Sequence, residues 1–346
     1  MGLNPHFGAH MFLWLWACTP DTTDVCPTAK NDTCDELLTC ALGTDSTDCD
    51  AACKTWTPSD GDYRMAGVCA LDDGNRIAQS EKSHGEGTMG EGGLTGSYDA
   101  TVTVRGSRTS NSVDRQYRVY VPRRYDPETP VPLMFALGGF TVDMYWMAEF
   151  TEMNRMADRE NFIVVYGHPE WRDFGNYDVF AWYVYNNAFE GDWIDNPDIA
   201  YMEAVYNELS TQYNIDKSRV FTSGHSRGAA LSIIAAFERP DLFAGYCAQA
   251  GFGSTNDYNL RIEELLQSSA INGVLIHGDA DPDVRVVESD AIHDLYKAAG
   301  YDYFDDWLYF RIPDATHEWQ SHLNQETWNW LYDHPNPLYA TNGGAE

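Results

Sequence analysis

The sequence predicts an α/β fold: a mostly parallel sheet of eight strands flanked by helices, preceded by a small cysteine-rich segment. Two observations support this prediction. Short apolar or β-rich segments alternate with segments of helical periodicity through most of the 346-residue chain, from about residue 100 onward. All but one of the eight cysteines precede residue 70. The chain is therefore expected to contain one large domain and a small accessory segment.

The predicted strands are short segments bounded by polar or turn residues. They occupy residues 101–104, 116–121, 133–137, 162–166, 220–223, 245–248, 274–276 and 307–312. A short polar link joins the first two strands, which predicts an antiparallel start to the sheet. Helical patterns separate the later strands, which is typical of parallel strands covered on both faces. The helical patterns occupy residues 200–213, 229–237, 262–268 and 290–299.

The first 17 residues resemble a removable targeting segment. An apolar run ends at Cys18, and residues 15–18, Leu-Trp-Ala-Cys, resemble the box before a lipidated cysteine in bacterial lipoproteins. Trp16 is bulkier than this pattern prefers, and the segment lacks Lys and Arg. We predict a secreted or outer-surface protein, and leave open whether Cys18 is lipidated and attaches it to a membrane. No later segment is apolar for long enough to span a bilayer.

Residues 18–69 form an acidic segment with a dense set of cysteines. Such spacing in an exported chain predicts three disulfides, and the sequence does not select among the fifteen pairings. Zinc is the competing explanation, but the segment has no histidine and no C-x-x-C pair. The disulfide candidates are Cys26, Cys34, Cys40, Cys49, Cys53 and Cys69.

The glycine content marks the next boundary. Residues 70–98 are predicted to be a flexible Gly-rich linker, residues 99–335 the catalytic domain and residues 336–346 a C-terminal tail. Cys247 lies in an apolar predicted strand, so we expect a buried thiol.

Composition excludes some function classes. The formal net charge is −31, and no basic stripe is present, so nucleic acid is not an expected partner. With 43% hydrophobic residues the chain can form a sizeable core. We expect a monomer whose partner is its substrate.

Residues 224–228, Gly-His-Ser-Arg-Gly, carry the clearest chemical signal. A G-x-S-x-G pattern alone is weak evidence. Here it follows a predicted strand and begins a helix of small residues, which is the setting that a nucleophile elbow requires. Glycines on both sides permit a tight turn, and a helix N-terminus favours developing negative charge. We predict that Ser226 is a nucleophile.

A serine nucleophile needs a base and a group that orients the base. The loop after the strand 273–278 contains Asp279, Asp281 and Asp283, and His317 follows the last β-rich segment. The order serine, acid, histidine fits a hydrolase with this elbow. The residues themselves leave the choice among the three aspartates open. Backbone N–H groups of Arg227 and Phe140 are the predicted oxyanion-hole donors, because Arg227 directly follows the candidate nucleophile and Phe140 lies in the loop after the third strand.

Several motifs together resemble a known family. They include residues 117–122, Tyr-Arg-Val-Tyr-Val-Pro, the elbow, residues 277–282, His-Gly-Asp-Ala-Asp-Pro, and residues 317–319, His-Glu-Trp. The body resembles the α/β-hydrolases of the secreted polyhydroxybutyrate depolymerase, feruloyl esterase and acetylxylan esterase group. The resemblance implies ester hydrolysis through an acyl-enzyme without cofactor or metal. It also implies that Asp281 is the acid, because Asp281 fills the family's His-Gly-x-x-Asp position.

The chain departs from the family pattern at two places. Arg227 replaces a smaller or amide residue, and Gly138-Gly139 replaces His-Gly. In addition, residues 171–193 are unusually aromatic, and flat rings stack on sugar or phenolic rings. We predict that Trp182 is a wall of the substrate site and that Trp319 supports His317.

Two other function classes compete with a serine esterase. A serine peptidase of the same fold would share the triad but differ in its pocket. A surface-binding protein that has lost catalysis would use the fold without chemistry. The complete set of serine, acid and histidine argues against the second class.

Overall fold

The computed structural model describes residues 85–106, 111–173, 178–184, 193–253, 256–267 and 271–339. The predicted targeting segment 1–17 and the cysteine-rich segment 18–69, with Cys18 and all six disulfide candidates, lie outside the described residues. The disulfide and lipidation predictions therefore stay predictions. Cys247 is a free, buried cysteine, and burial raises the pKa of its thiol to about 12.

Eight strands form one sheet in the order β1-β2-β4-β3-β7-β8-β9-β10. Strands β1 and β2 are antiparallel to their neighbours, and the other strands are parallel. This arrangement confirms the predicted mostly parallel sheet with an antiparallel start. The strands are β1 Gly96–Arg105, β2 Ser112–Val121, β3 Val131–Leu137, β4 Ile163–Gly167, β7 Ile215–His225, β8 Gly245–Gln249, β9 Asn272–Gly278 and β10 Trp307–Ile312. A separate hairpin pairs β5 Trp171–Asp173 with β6 Asp178–Phe180.

Helices cover both faces of the sheet, and each face has its own hydrophobic core. They are α1 Met144–Phe150, α2 Met153–Glu160, α3 Pro197–Gln212, α4 Arg227–Glu238, α5 Asn256–Leu266, α6 Val287–Ala299 and α7 Asn324–Tyr332. Side chains of α3, α4 and α6 contribute to one core, and those of α1, α2 and α7 to the other. No helix of the described ranges is long and apolar enough to cross a membrane.

The predicted linker boundary at residue 98 differs from the structure. Strand β1 begins at Gly96, and the preceding residues hydrogen-bond to the start of β7 and the end of α3. The N–H of Thr88 donates to the carbonyl of Ile215, and the N–H of Gly92 donates to that of Gln212. The last part of the predicted linker, from residue 85, therefore packs on the catalytic domain. High glycine content here permits close backbone approach rather than a free linker.

Buried histidines make the stability of this fold depend on pH. His293 of α6 is 6% exposed, and its Nδ1 accepts a hydrogen bond from the indole of Trp307 at 3.0 Å. Burial lowers the pKa of His293 to about 4. Since an unfolded histidine has a pKa of about 6.5, the unfolded chain binds more protons between these values. The contribution of His293 to stability is therefore present at neutral pH and is lost as pH falls through this interval.

Replacing His293 by glutamine should remove this pH dependence, because glutamine does not titrate. The advantage of the wild type over His293→Gln in free energy of unfolding should shrink by on the order of 1–2 kcal/mol between about pH 7 and about pH 5. Urea unfolding of both proteins at both pH values measures the change. The other titrating groups change the free energy of unfolding of both proteins equally. If the difference in free energy of unfolding between the wild type and His293→Gln is the same at both pH values, the prediction is wrong.

Candidate active site

Ser226 lies at the joint between β7 and α4, where the chain turns sharply. Its backbone has φ 54° and ψ −116°, a conformation that costs energy for any residue other than glycine. From residue 220 to residue 230 every side chain is buried except that of Ser226, which is partly exposed. The N–H of Ser226 donates to the carbonyl of Gln249 at the end of β8. The strained turn therefore presents one serine at the carboxyl edge of the sheet.

Close backbone packing explains the glycines beside this turn. A methyl group on Gly228 would collide with the carbonyl of Leu137, the last residue of β3. A methyl group on Gly139 would lie 3.2 Å from Cβ of Ser226. The loop after β3, which holds the predicted donor Phe140, therefore lies directly beside the candidate nucleophile.

His317 and Asp281 are joined by a direct hydrogen bond. Nδ1 of His317 lies 2.7 Å from Oδ2 of Asp281. An ionised carboxylate only accepts hydrogen bonds, so Nδ1 carries the proton and Nε2 is left as the proton acceptor. The ring of His317 lies 4.7 Å from that of His225, the residue before Ser226. The fold therefore brings serine, histidine and acid to the same place.

The environment of Asp281 keeps its carboxylate ionised. Oδ1 accepts hydrogen bonds from the N–H groups of Asp283 and Val284, at 2.8 and 2.9 Å. Burial raises the pKa of Asp281, but these two N–H groups and His317 outweigh it, so the pKa lies below its usual value. The same interactions fix the carboxylate toward His317.

The two competing aspartates make different contacts. The exposed Asp279 accepts a hydrogen bond from the N–H of Asp314 at 2.8 Å, which joins the acid loop to the loop that carries His317. The exposed Asp283 contributes its backbone N–H to Asp281. Of the three aspartates, Asp281 is the one whose carboxylate accepts a hydrogen bond from His317.

Two further histidines pack around the site in neutral form. Burial first, and then the nearby His317, lower the pKa of His225 to about 3. His277 is buried, and burial likewise lowers its pKa. Its Nε2 lies 2.9 Å from the carbonyl of Val284, and its Nδ1 lies 2.7 Å from the hydroxyl of Ser289. Both rings therefore fill space beside the triad without adding charge.

Gln249, which no sequence motif marks as a site residue, connects two parts of the site. Its backbone carbonyl accepts from Ser226, and its side-chain Oε1 accepts from the N–H of Gln320 at 2.7 Å. Gln249 is 1% exposed, so this amide connects the serine turn and the histidine loop within the interior. A glutamine directly after an apolar predicted strand is the sequence signal that could have identified it.

Trp319, predicted to support His317, is partly buried in the histidine loop. Its indole N–H donates to Oδ1 of Asn324 at 3.0 Å. Its ring packs edge-on to Phe150, which packs edge-on to His225. Trp319 therefore contacts the site through Phe150, and its support of His317 stays a prediction.

The prediction for Trp182 requires correction. This side chain is 0% exposed, so it does not form a wall of an open substrate site. Instead its indole N–H donates to the carbonyl of Gly138 at 2.8 Å. Its own carbonyl accepts from Nε of Arg227 at 2.8 Å and from the guanidinium of Arg172. Trp182 therefore connects the residue after Ser226 with the loop that precedes Phe140.

Phe140 is 39% exposed, and the guanidinium of Arg227 lies 5.7 Å from its ring centre. The next residue, Thr141, has φ 66°, and its N–H donates to the carbonyl of Phe180 in β6. Arg227 is the first residue of α4, so its N–H lies at the positively polarised end of the helix. The predicted oxyanion donors therefore lie on two segments that Trp182 holds together.

One set of potential metal ligands overlaps this site. Asp281, Asp283 and His317 each place one ligand atom within 4.8 Å of the others. However, Nδ1 of His317 and Oδ2 of Asp281 already satisfy each other in a hydrogen bond. The donor set therefore fits an acid–base pair better than a metal site.

Comparisons with known proteins identify a family for the chain. The Esterase family model matches residues 109–329. The bifunctional acetylxylan esterase/xylanase XynS20E of Neocallimastix patriciarum is 25% identical over 149 residues, which are 43% of this chain and 20% of that protein. The chain therefore matches only about a fifth of the length of this curated relative.

Solved structures share the fold. S-formylglutathione hydrolase from Agrobacterium tumefaciens has a TM-score of 0.55 at 17% identity, over 70% of this chain and 97% of that chain. Acetyl xylan esterase from Aspergillus awamori has a TM-score of 0.52 at 15% identity, over 68% and 99% of the two chains. At this level of identity the likeness shows an α/β-hydrolase fold and no more.

Proposed function

The chain belongs to the Esterase family, and we propose that it is a carboxylic ester hydrolase that acts through an acyl-enzyme on Ser226. The observation that carries the proposal is the strained, partly exposed Ser226 beside the ring pair of His225 and His317, with His317 hydrogen-bonded to Asp281 at 2.7 Å. This arrangement supplies a nucleophile, a base and an acid that orients the base, which together activate a serine hydroxyl.

In the first half of the reaction, Oγ of Ser226 attacks the carbonyl carbon of the ester. Nε2 of His317 takes the hydroxyl proton, and Asp281 stabilises the imidazolium. The negative charge on the carbonyl oxygen is stabilised by the N–H groups of Arg227 and Phe140. When the tetrahedral intermediate collapses, the C–O bond to the alcohol breaks, and His317 returns the proton to the departing oxygen.

In the second half, water attacks the acyl carbon of the acyl-enzyme. His317 takes a proton from the water, and the bond between the acyl carbon and Oγ of Ser226 breaks. His317 gives that proton to Oγ, which restores the serine and releases the carboxylic acid. The side chains begin the next cycle unchanged, and atoms and charge balance without a cofactor.

We propose an acetyl or feruloyl ester carried by a polysaccharide as the substrate, with a polyhydroxyalkanoate polyester as the alternative. The sequence similarity to a protein named as an acetylxylan esterase supports the first class. Exposed aromatic side chains near the site support an extended substrate with rings or apolar faces, since Phe140 and Trp171 are 39% and 59% exposed.

Hydrolysis assays on a panel of substrates test this function. We expect the purified protein to hydrolyse p-nitrophenyl acetate, together with methyl ferulate or acetylated xylan. We expect it to be inactive on a peptide p-nitroanilide, which is the matched chromogenic substrate for a peptidase. Cleavage of the anilide without cleavage of the acetate would overturn the proposal, and activity on polyhydroxybutyrate emulsion alone would select the polyester.

We further propose that the protein is exported, on the evidence of the apolar run before Cys18 and the cysteine-rich segment 18–69. Mass spectrometry of the mature protein from the native host measures where the chain begins and whether Cys18 carries lipid. A mature chain that retains residue 1 and reduced cysteines contradicts export.

A further inference from the structure

A cavity lies at the same edge of the sheet as Ser226. It has a volume of about 450 Å³ and is open to solvent beside the exposed Trp171. Trp171 and Phe180 belong to its lining, and their ring centres are 4.0 Å apart. Polar side chains of Thr101, Asp114 and Gln116 from β1 and β2 also line the cavity. Flat rings together with convergent hydrogen-bonding groups are the features that bind a polyhydroxylated ring.

The position of Trp171 follows from the local structure. Trp171 and Arg172 are successive residues of β5, so their side chains point to opposite sides of the hairpin. Arg172 is buried, donates to the carbonyl of Trp182 and packs over the ring of Tyr183. This anchor leaves Trp171 59% exposed at the cavity. The buried Arg172 and the alternation of side chains in β5 therefore keep Trp171 exposed.

The charged groups of the cavity lining favour a neutral ligand over an anionic one. Its one guanidinium, that of Arg115, is buried in an ion pair with Asp198 at 2.7 Å. Asp114 and Glu170 add carboxylates to the lining. Burial lowers the pKa of His168, which keeps that ring uncharged at neutral pH. An anionic sugar would meet negative charge here without an available counter-charge, whereas carboxylates accept hydrogen bonds from neutral hydroxyls.

The sheet register connects the cavity to the catalytic elements. Gly224 of β7, Leu137 of β3, Gly167 of β4 and Tyr117 of β2 lie in one row across four adjacent strands. The cavity lies at the β2 end of this row and Ser226 at the β7 end. With neighbouring strands about 4.8 Å apart, β2 and β7 are about 14 Å apart at this row. An oligosaccharide spans this distance, and a small aryl ester does not.

A direct contact joins the two sites. The carbonyl of Phe180, whose ring lines the cavity, accepts a hydrogen bond from Thr141 at 3.1 Å. Thr141 follows the predicted oxyanion donor Phe140. We propose that the cavity is a subsite for a neutral sugar unit of the polysaccharide whose ester is cleaved at Ser226. This inference rests on the proposed function for the identity of the polymer.

Replacing Trp171 by alanine tests the subsite in catalysis. The ratio of kcat/KM on acetylated xylan to kcat/KM on p-nitrophenyl acetate should fall by about fivefold to tenfold, because only the polymer reaches the ring. Trp146→Ala is the matched control, since Trp146 is 64% exposed and lies outside the cavity lining, and its ratio should stay at the wild-type value. An unchanged ratio for Trp171→Ala overturns the proposal.

A binding measurement tests the subsite without relying on catalysis. Unesterified xylohexaose should bind the wild-type protein in a calorimetric titration, and Trp171→Ala should bind it at least about fivefold more weakly. An oligogalacturonate of equal length should bind at least about tenfold more weakly than xylohexaose. If xylohexaose does not bind, or binds Trp171→Ala equally well, the proposal is wrong. A protein that binds xylohexaose through Trp171 but hydrolyses no ester would overturn the proposed function and leave the subsite supported.

Discussion

Replacing Ser226 by alanine should abolish ester hydrolysis while the protein remains folded. The hydroxyl is the only group lost, and alanine has the same Cβ as serine at the positive φ of 54°. Without the nucleophile no acyl-enzyme forms, so turnover of p-nitrophenyl acetate should fall by at least about 10⁴-fold. Any residual activity of Ser226→Ala would come from the oxyanion donors and from binding of the ester. Labelling by a fluorophosphonate probe should disappear in the same variant.

Ser232→Ala is the matched control for Ser226→Ala. Ser232 lies in α4, and its hydroxyl donates to the carbonyl of Gly228 at 2.8 Å. Removing that bond should cost about 1 kcal/mol of stability and leave turnover within about twofold of the wild type. If Ser226→Ala retains turnover and labelling, then Ser226 is not the nucleophile. Thermal unfolding of both variants separates loss of fold from loss of chemistry.

Much of the site was predictable because parallel strands place their carboxyl ends at one edge of a sheet. The elbow, the acid loop and His317 each follow a strand that the apolar pattern identified, and these strands are β7, β9 and β10. The order of strands in the sequence therefore predicts that Ser226, the aspartates and His317 lie in one region. The family resemblance selected Asp281, and the structure places that carboxylate 2.7 Å from His317.

The aromatic segment was harder to interpret, because composition does not show which face of a hairpin is buried. Trp171 and Trp182 look alike in sequence, yet one is 59% exposed and the other is 0% exposed. The difference arises from Arg172, which anchors β5, and from the indole of Trp182, which finds a buried acceptor at Gly138. These contacts join residues 10 and 44 positions apart in the chain, so the alternation of side chains within a strand does not predict them.

Three helices were missed for a related reason. Helix α1 begins after Asp143, whose side chain accepts from two N–H groups of the first turn, and this capping signal was available in the sequence. Helix α2 is short and begins and ends at residues with left-handed backbone conformations. Helix α7 is short and rich in aromatic residues of modest helix propensity. The packing of α1, α2 and α7 on the second face of the sheet stabilises them more than their own sequences do.

Asp281→Asn should reduce turnover by on the order of 10³ to 10⁴, or roughly 4–5.5 kcal/mol of transition-state stabilisation. The asparagine oxygen can still accept from the N–H groups of Asp283 and Val284, so the loop should keep its shape. An amide NH₂ then faces His317 Nδ1, which must accept instead of donate. This change moves the ring proton to Nε2, where a base is needed, and leaves the imidazolium without a counter-charge.

Asp279→Asn and Asp283→Asn are the controls, because each removes one carboxylate from the same loop. Against a net charge of −31, losing one exposed carboxylate barely changes the wider field, so each should lower turnover by about tenfold or less. Combining Asp281→Asn with Ser226→Ala should add little to the loss from Ser226→Ala alone, since triad members act as one unit. Turnover of one soluble ester by each folded variant measures all of these effects. If Asp283→Asn or Asp279→Asn is the inactive protein while Asp281→Asn stays active, then the hydrogen bond between Asp281 and His317 does not orient the catalytic base.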